Sequence, residues 1–210
     1  FVYHDANVGG RNVLFRNDID GDTWAFVNVT QETGLDENNR RWSFAAGGGD
    51  YDNDGDPDLY VANDYGRNNL YRNDRGEDGG VRFVDVAGEL GGEDSASGMS
   101  VSWGDYDRDG RMDLYVSNMF SAAGSRIVAL PQFKPKISGD LRQRYQHFAR
   151  GNTLLRNLGE EGFGDTSVAA GVTLGRWAWS SNFVDLNNDG WEDLVVANGN
   201  ITAEDDSGDL

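Results

Sequence analysis

Asp50-Tyr-Asp-Asn-Asp-Gly-Asp-Pro-Asp58 is an acidic loop that the chain repeats twice, as Asp105-Tyr-Asp-Arg-Asp-Gly-Arg-Met-Asp113 and Asp185-Leu-Asn-Asn-Asp-Gly-Trp-Glu-Asp193. Each copy has Asp or Asn at positions 1, 3, 5 and 9 and glycine at position 6. Oxygen ligands at alternate positions of a tight turn converge on one point, and several hard oxygens select Ca²⁺ ahead of Mg²⁺ or Mn²⁺. Glycine allows the positive φ that turns the chain around an ion. The pattern therefore predicts about three calcium ions.

The predicted ligands are the side chains at positions 1, 3, 5 and 9, together with the backbone carbonyl at position 7. They are Asp50, Asp52, Asp54, Asp56 and Asp58 in the first loop, Asp105, Asp107, Asp109, Arg111 and Asp113 in the second, and Asp185, Asn187, Asp189, Trp191 and Asp193 in the third. An EF-hand needs Glu at position 12, where this chain has Val61, Val116 and Val196. Asp, Asn and Gly are also common in turns that bind nothing, but three copies in register favour metal binding.

The composition suits one sizeable domain that does not bind nucleic acid. The chain has 210 residues, with 36 acidic against 18 basic side chains and a formal net charge of −18. Nucleic-acid binding requires a basic surface, and a transmembrane helix requires about 18 consecutive apolar residues; neither is visible. Cysteine is absent, so disulfides and thiolate metal sites are excluded. Calcium is abundant outside cells, so we expect a secreted, periplasmic or cell-surface protein.

A longer repeat surrounds the acidic loops. Asn69-Leu-Tyr-Arg-Asn73 recurs as Val13-Leu-Phe-Arg-Asn17 and Thr153-Leu-Leu-Arg-Asn157, and β-branched or apolar runs flank each loop. One unit reads as four short strands, with the loop joining the first two, as in a blade of a β-propeller. We predict an all-β fold of four-stranded antiparallel blades, forming a single propeller segment over residues 1–210. Its parts are a partial blade 1–38, a blade 42–90, a blade 98–170 with an insertion 120–150, a partial blade 175–200 and a tail 201–210.

These repeats resemble the FG-GAP/VCBS repeat of integrin-α-type β-propellers. The third loop and Gly175-Arg-Trp-Ala-Trp179 look most like the bacterial ASPIC/UnbV branch, which is similar to cartilage acidic protein. The resemblance implies a calcium-stabilised propeller of secreted or surface proteins, often adhesive and seldom enzymatic. Two complete blades are too few for a closed ring, which has four to eight. We therefore expect a segment of a longer protein, or a chain whose ends pair with another molecule.

The predicted insertion is basic, in contrast to the rest of the chain. Ser138 or Asp140 is placed to cap one short amphipathic helix, with Leu141, Tyr145 and Phe148 on its apolar face. The candidate partner surface comprises Arg126, Lys134, Lys136, Arg142, Arg144 and Arg150. One interpretation is a docking surface for an acidic protein, a glycan or a lipid headgroup. The other, which we favour, is that these side chains neutralise nearby carboxylates and anchor a long loop.

The sequence favours a binding module over an enzyme. Its only histidines are His4 and His147, and we expect His147 to be an exposed or packed side chain of the helix. We interpret Trp42, Trp103, Trp177, Trp179 and Trp191 as blade core rather than a sugar platform. The loops offer enough oxygens to saturate an ion, whereas a catalytic metal keeps an open position. We predict a non-catalytic module that recognises a protein or glycan or acts as a scaffold; the alternative is a metal-dependent hydrolase of phosphoesters or glycans.

Overall fold

The computed structural model describes residues 5–76 and 79–199. Three predicted features therefore lie outside the described residues: the start of the partial blade 1–38 with His4, the last residue of the partial blade 175–200, and the tail 201–210. Within the described ranges, no helix is long and apolar enough to cross a membrane.

The protein is mostly β, with antiparallel strands and few helices, as predicted. Its strands are β1 (Phe15–Asn17), β2 (Phe26–Asn28), β3 (Trp42–Gly49), β4 (Asp58–Asp64), β5 (Gly66–Arg67), β6 (Asn69–Arg75), β7 (Val81–Asp85), β8 (Ser95–Ala96), β9 (Gly98–Gly104), β10 (Asp113–Asn118), β11 (Thr153–Asn157), β12 (Phe163–Asp165), β13 (Ala178–Val184) and β14 (Asp193–Asn198). Two four-stranded sheets have the orders β3-β4-β6-β7 and β9-β10-β11-β12. The pairs β1-β2, β5-β8 and β13-β14 form two-stranded sheets.

The two four-stranded sheets repeat one another in register. Leu59 pairs with Tyr71 in the first sheet, and Leu114 pairs with Leu155 in the second. In each sheet an acidic loop joins the first strand to the second, and a short connection or the insertion leads to the third. The repeated sequence motifs therefore occupy equivalent positions in the two sheets.

Alternation along each central strand sends its side chains to two separate cores. On β4, Tyr60 and Ala62 enter a core between the two four-stranded sheets, whereas Val61 lies in a second core on the opposite face. On β10, Leu114 enters the first core and Tyr115 a third one, which includes Phe183 of β13. Successive side chains of a strand point to opposite faces, so each central strand is covered on both sides. The sheets consequently stack face to face, with β9 in contact with both β3 and β13.

In the described part of the chain, the strands are interrupted by α1 (Ala87–Leu90), α2 (Ala122–Val128), α3 (Gly139–Arg150) and one turn of 3-10 helix (Gly159–Glu161). The predicted helix is α3, and Ser138 caps it by accepting a hydrogen bond from the Leu141 N–H. The prediction of only one helix in the insertion was wrong, because α2 precedes it. Ser121 caps α2 by accepting from the Gly124 N–H, a short-range signal that the apolar spacing did not reveal.

Three of the five tryptophans predicted to lie in the blade core are exposed instead. Trp103 packs against the core between the two four-stranded sheets, as predicted for a blade-core residue. Trp42, Trp179 and Trp191 are instead 43%, 46% and 51% exposed. Trp42 and Trp179 lie at the beginnings of β3 and β13, and Trp191 lies in the third loop. Strand ends and loops extend beyond the region where the sheets stack, so aromatic content alone did not predict their burial.

Candidate metal loops

The three acidic loops share one backbone conformation. Position 4 has positive φ in each loop, with values of 60° at Asn53, 59° at Arg108 and 59° at Asn188. Position 6 also has positive φ, with values of 92° at Gly55, 84° at Gly110 and 85° at Gly190. Glycine adopts a positive φ without the steric cost that a Cβ adds. The glycine predicted to permit the turn at position 6 is therefore confirmed in that role.

Backbone amides orient the carboxylates within each loop. The position 6 N–H donates to the position 1 carboxylate at 3.0 Å in the first and second loops and at 2.9 Å in the third. The position 7 N–H donates to the position 5 carboxylate at 2.8, 3.0 and 2.8 Å in the same order. In the first loop the other oxygen of Asp50 is left without a hydrogen bond. In the second and third loops the other oxygens at positions 1 and 5 accept further hydrogen bonds within the loop.

Two of the loops bring three carboxylates together. Ligand oxygens of Asp50, Asp52 and Asp58 lie within 4.8 Å of one another. Oxygens of Asp105, Asp107 and Asp109 do the same in the second loop. Among residues 5–76 and 79–199 these are the only such groups of three His, Cys, Asp or Glu side chains. Either group can hold a metal ion.

The third loop does not form such a group, although its backbone matches the other two. Position 3 is Asn187, whose amide nitrogen donates to Asp189 at 2.9 Å. An amide in place of a carboxylate removes one negatively charged ligand. Its hydrogen bond also occupies a carboxylate oxygen of Asp189, which is another predicted ligand. We predicted a metal site in this loop as well, because an Asn side-chain oxygen is also a calcium ligand.

Three buried carboxylate oxygens without hydrogen-bond partners indicate that a cation fits the first two loops. Asp50 Oδ1, Asp107 Oδ1 and Asp113 Oδ2 are buried and accept no hydrogen bond, and Asp113 is fully buried as a residue. A buried charged oxygen without a partner is costly, and such atoms normally have a hydrogen bond or an ion. All three atoms belong to predicted ligands in the first two loops. A divalent cation held by these side chains would satisfy them.

Burial also changes the acidity of these side chains. It raises the pKa of Asp58 to about 6 and that of Asp113 to about 7, against the stabilising effect of backbone N–H donors. Neighbouring loop carboxylates raise both values further, and burial together with Asp54 raises the pKa of Asp52. Concentrating negatively charged carboxylates in a partly buried loop costs free energy. A bound cation would offset this cost.

Position 9 joins the first and second loops to the third strands of their sheets. Asp58 accepts from the Asn73 N–H at 2.8 Å and from the Tyr51 N–H at 3.0 Å. Asp113 accepts from the Asn157 N–H at 2.8 Å. These two asparagines were not predicted as part of the metal loops. Their signal was the Arg-Asn pair that ends each repeated strand motif.

The loops lie side by side. The Asn53 side chain donates to the Gly110 carbonyl at 3.0 Å, which links the first and second loops. The Arg108 guanidinium lies 5.1 Å from the centre of the Trp191 ring, which links the second and third. Position 4 of one loop therefore contacts position 6 or 7 of the next.

The candidate partner surface divides into two groups. Arg142 donates to the carbonyls of Leu130 and Phe133, Lys134 donates to the Tyr145 hydroxyl, and Arg150 pairs with Asp165 at 2.7 Å. These three side chains hold the insertion together and attach it to β12. The other three, Arg126, Lys136 and Arg144, are exposed and have no ion pair within the described part of the chain.

His147 is packed rather than free. Its Nε2 lies 2.5 Å from Asp94 Oδ1, and the Asp94 side chain is fully buried. Asp94 also accepts from the Asn118 amide and the Thr153 hydroxyl, both at 3.1 Å. This network connects α3 to the sheet formed by β9, β10, β11 and β12.

Comparison with known proteins identified one related family. A search of curated proteins found no match. Residues 50–116 match the model of the FG-GAP-like repeat. This segment contains the first four-stranded sheet except β3, both carboxylate groups and the start of β10. The match supports the FG-GAP repeat family for the segment that holds the two candidate metal loops.

Proposed function

We propose that the chain is part of a calcium-stabilised β-propeller that acts as a non-catalytic recognition or scaffold module for a protein or glycan. The observation that supports this proposal best is the set of buried, unpartnered oxygens on Asp50, Asp107 and Asp113. They lie in loops of matching conformation, within a segment similar to the FG-GAP-like repeat.

The ligand chemistry favours calcium among divalent cations. Each loop offers several carboxylate oxygens and a backbone carbonyl on a short turn, and soft or nitrogen ligands are absent from the set. Calcium accepts six to eight oxygens in flexible geometry, whereas magnesium requires a near-ideal octahedron and retains water. The ions would join the first and second strands of each sheet and neutralise the acidic loops.

The stacking of the sheets supports the propeller part of the proposal. The first strands β3, β9 and β13 lie next to one another, as the inner strands of successive blades do. The β1-β2 pair exposes Phe15 and Phe26 at 56% and 62%. Such apolar surface is suited to packing against a further sheet. The proposal also includes further blades and membership of the ASPIC/UnbV branch. It places the protein outside the cytoplasm, because calcium is abundant there.

Thermal unfolding in EDTA, in calcium and in magnesium tests the metal part. At a calcium concentration of about 100 times Kd, linkage adds about 2.7 kcal/mol and raises Tm by about 5–10 °C for a domain of this size. The control is a protein with Asp52→Asn and Asp107→Asn, which should lose most of the calcium-dependent rise. Equal melting temperatures in calcium and EDTA would contradict the proposal. Turnover of a phosphoester or glycan by the calcium-loaded protein would contradict its non-catalytic part.

A further inference from the structure

Three arginines occupy equivalent positions in the repeated strand motif. Arg16 lies in β1, Arg72 in β6 and Arg156 in β11; each is the fourth residue of its five-residue motif and is followed by Asn. Arg16 Nε lies 2.7 Å from Asp18, two residues further on. Arg72 contacts Asp74 in the same way, at 2.6 Å through Nε and 3.1 Å through Nη2. The first two arginines therefore each pair with an aspartate two residues further along the chain.

The third arginine has no such neighbour, because the residue two positions after Arg156 is Leu158. Its guanidinium contacts the second acidic loop instead. Nε lies 2.6 Å from Asp107 Oδ2, and Nη2 lies 3.5 Å from Asp109 Oδ2. Arg111, at position 7 of that loop, also contacts Asp109. Two cations therefore adjoin carboxylates that are candidate metal ligands.

The first loop lacks this arrangement. Within the described residues, no Lys or Arg forms an ion pair with Asp50, Asp52 or Asp58. Arg72 acts on Asp52 only at longer range, and Arg75 pairs with Asp56, the residue at position 7. Residues 50–58 contain five acids and no base, whereas residues 105–113 contain four acids and two arginines.

The different contacts of Arg72 and Arg156 do not come from their backbone positions. The N–H after each arginine, at Asn73 and Asn157, donates at 2.8 Å to the position 9 carboxylate of its loop. Arg72 and Arg156 consequently start from equivalent places beside their loops. What differs is the side chain two residues later, Asp74 in one sheet and Leu158 in the other.

We infer that Arg156 is an internal counter-cation of the second loop, and that this loop binds a divalent cation more weakly than the first. The inference rests on the proposed calcium function. A guanidinium this close to Asp107 and Asp109 repels a divalent ion bound by them, and even solvent-screened charges a few ångströms apart change an affinity on the order of tenfold. Leu158 determines the effect, since it leaves Arg156 without a local partner.

Calcium titration by calorimetry tests the inference when one loop is measured at a time. Asp185→Asn removes the third loop from all proteins. Asp105→Asn with Asp107→Asn then isolates the first loop, and Asp50→Asn with Asp52→Asn isolates the second. The isolated first loop is expected to bind about tenfold more tightly than the second.

Three substitutions identify the cause. Leu158→Asp provides Arg156 with the partner that Arg72 has, and should tighten the second loop by about tenfold; Arg156→Met should do the same by removing the charge. Asp74→Leu should weaken the first loop by releasing Arg72. Arg126→Met, which removes an exposed charge on α2, is the control and should leave both affinities unchanged.

The outcomes separate the two proposals. If the loops bind calcium with equal affinity, or if Arg156→Met and Leu158→Asp both leave the second loop unchanged, the inference is overturned while the calcium function stands. If neither loop of any variant binds calcium, the proposed function fails and the inference fails with it. Tighter binding by the second loop in both variants supports the inference.

Discussion

At the scale of single residues, the position 9 aspartates have a structural role that does not depend on a metal. Asp58 accepts two backbone N–H groups, from Tyr51 in the loop and from Asn73 on β6. Its side chain is almost fully buried, so neither donor has water as an alternative partner. The same carboxylate that would bind the ion also fixes the loop to the sheet.

Replacement of Asp58 by Ala should therefore destabilise the protein even in EDTA. Two buried N–H groups lose their acceptor, which costs about 1–3 kcal/mol. Urea unfolding in EDTA measures this loss without a contribution from metal. The matched variant is Asp54→Ala, in which an exposed carboxylate loses one N–H donor; we expect a change below about 1 kcal/mol. Equal losses in the two variants would contradict the structural role of position 9.

At the scale of elements, helix α3 is attached to the sheets by polar contacts at its C-terminal end. His147 meets the buried Asp94, and Arg150 meets Asp165 on β12. Phe148 adds a stacked contact with Tyr65, with ring centres 6.4 Å apart. The insertion is therefore a fixed part of the fold, which agrees with the anchoring interpretation of part of its basic charge.

Replacement of His147 by Ala should loosen α3. Asp94 keeps its bonds from Asn118 and Thr153 but loses the imidazole, at a cost of about 1–3 kcal/mol. Hydrogen exchange should become faster in α3 and stay unchanged in β4 and β10. Arg144→Ala, on an exposed position of the same helix, is the control and should change stability by less than about 0.5 kcal/mol. Unchanged exchange in α3 of the His147 variant would show that this contact does not hold the helix.

The Arg150–Asp165 pair predicts a dependence on pH. Burial by itself raises the pKa of Asp165, but hydrogen bonds from Ser167 and Arg150 outweigh it, so the pKa lies below the usual value of an aspartate. A lowered carboxyl pKa stabilises the fold above the unfolded value of about 3.9, and this stabilisation disappears as pH falls through the folded value. Asp165→Asn should thus be less stable than wild type at pH 7, with a smaller gap at pH 3. Urea unfolding at both values measures the gap; a constant gap would contradict the assignment.

At the scale of the whole molecule, glycines let neighbouring sheets approach. A Cβ on Gly49, the last residue of β3, would lie 2.7 Å from two ring carbons of Trp103 on β9. A Cβ on Gly104, the last residue of β9, would lie 2.6 Å from two ring carbons of Phe183 on β13. The same notch therefore recurs: the glycine before one loop receives the aromatic ring of the next sheet.

Replacement of Gly49 by Ala should separate the first two sheets. The added methyl overlaps the indole of Trp103, and overpacking of this kind costs about 1–3 kcal/mol. The neighbouring Gly48→Ala is the control, because its Cβ would meet only the Asp58 carbonyl at 3.6 Å. Urea unfolding compares the two variants, with a near-neutral result expected for Gly48→Ala. If both variants retained wild-type stability, the notch would not limit the packing of the sheets.

The sequence by itself determined the elements that depend on local chemistry. The positions of the loops, the glycine at position 6, the strands around them and helix α3 follow from turn residues, alternation and capping, which act over a few residues. The internal repeat then indicated that the two sheets are equivalent. Helix α2 and the exposure of Trp42, Trp179 and Trp191 were not predicted, because a short helix and the ends of strands have weak periodic signals.

Only the tertiary structure decided which residues from distant parts of the chain meet. It places Asn157 beside Asp113, Asp94 beside His147, and Arg156 beside Asp107, across separations that the sequence pattern does not encode. It also distinguishes the three acidic loops, since only two bring three carboxylates together. The physical reason is that ligand convergence and charge compensation depend on distances through space, and the stacking of the sheets sets those distances.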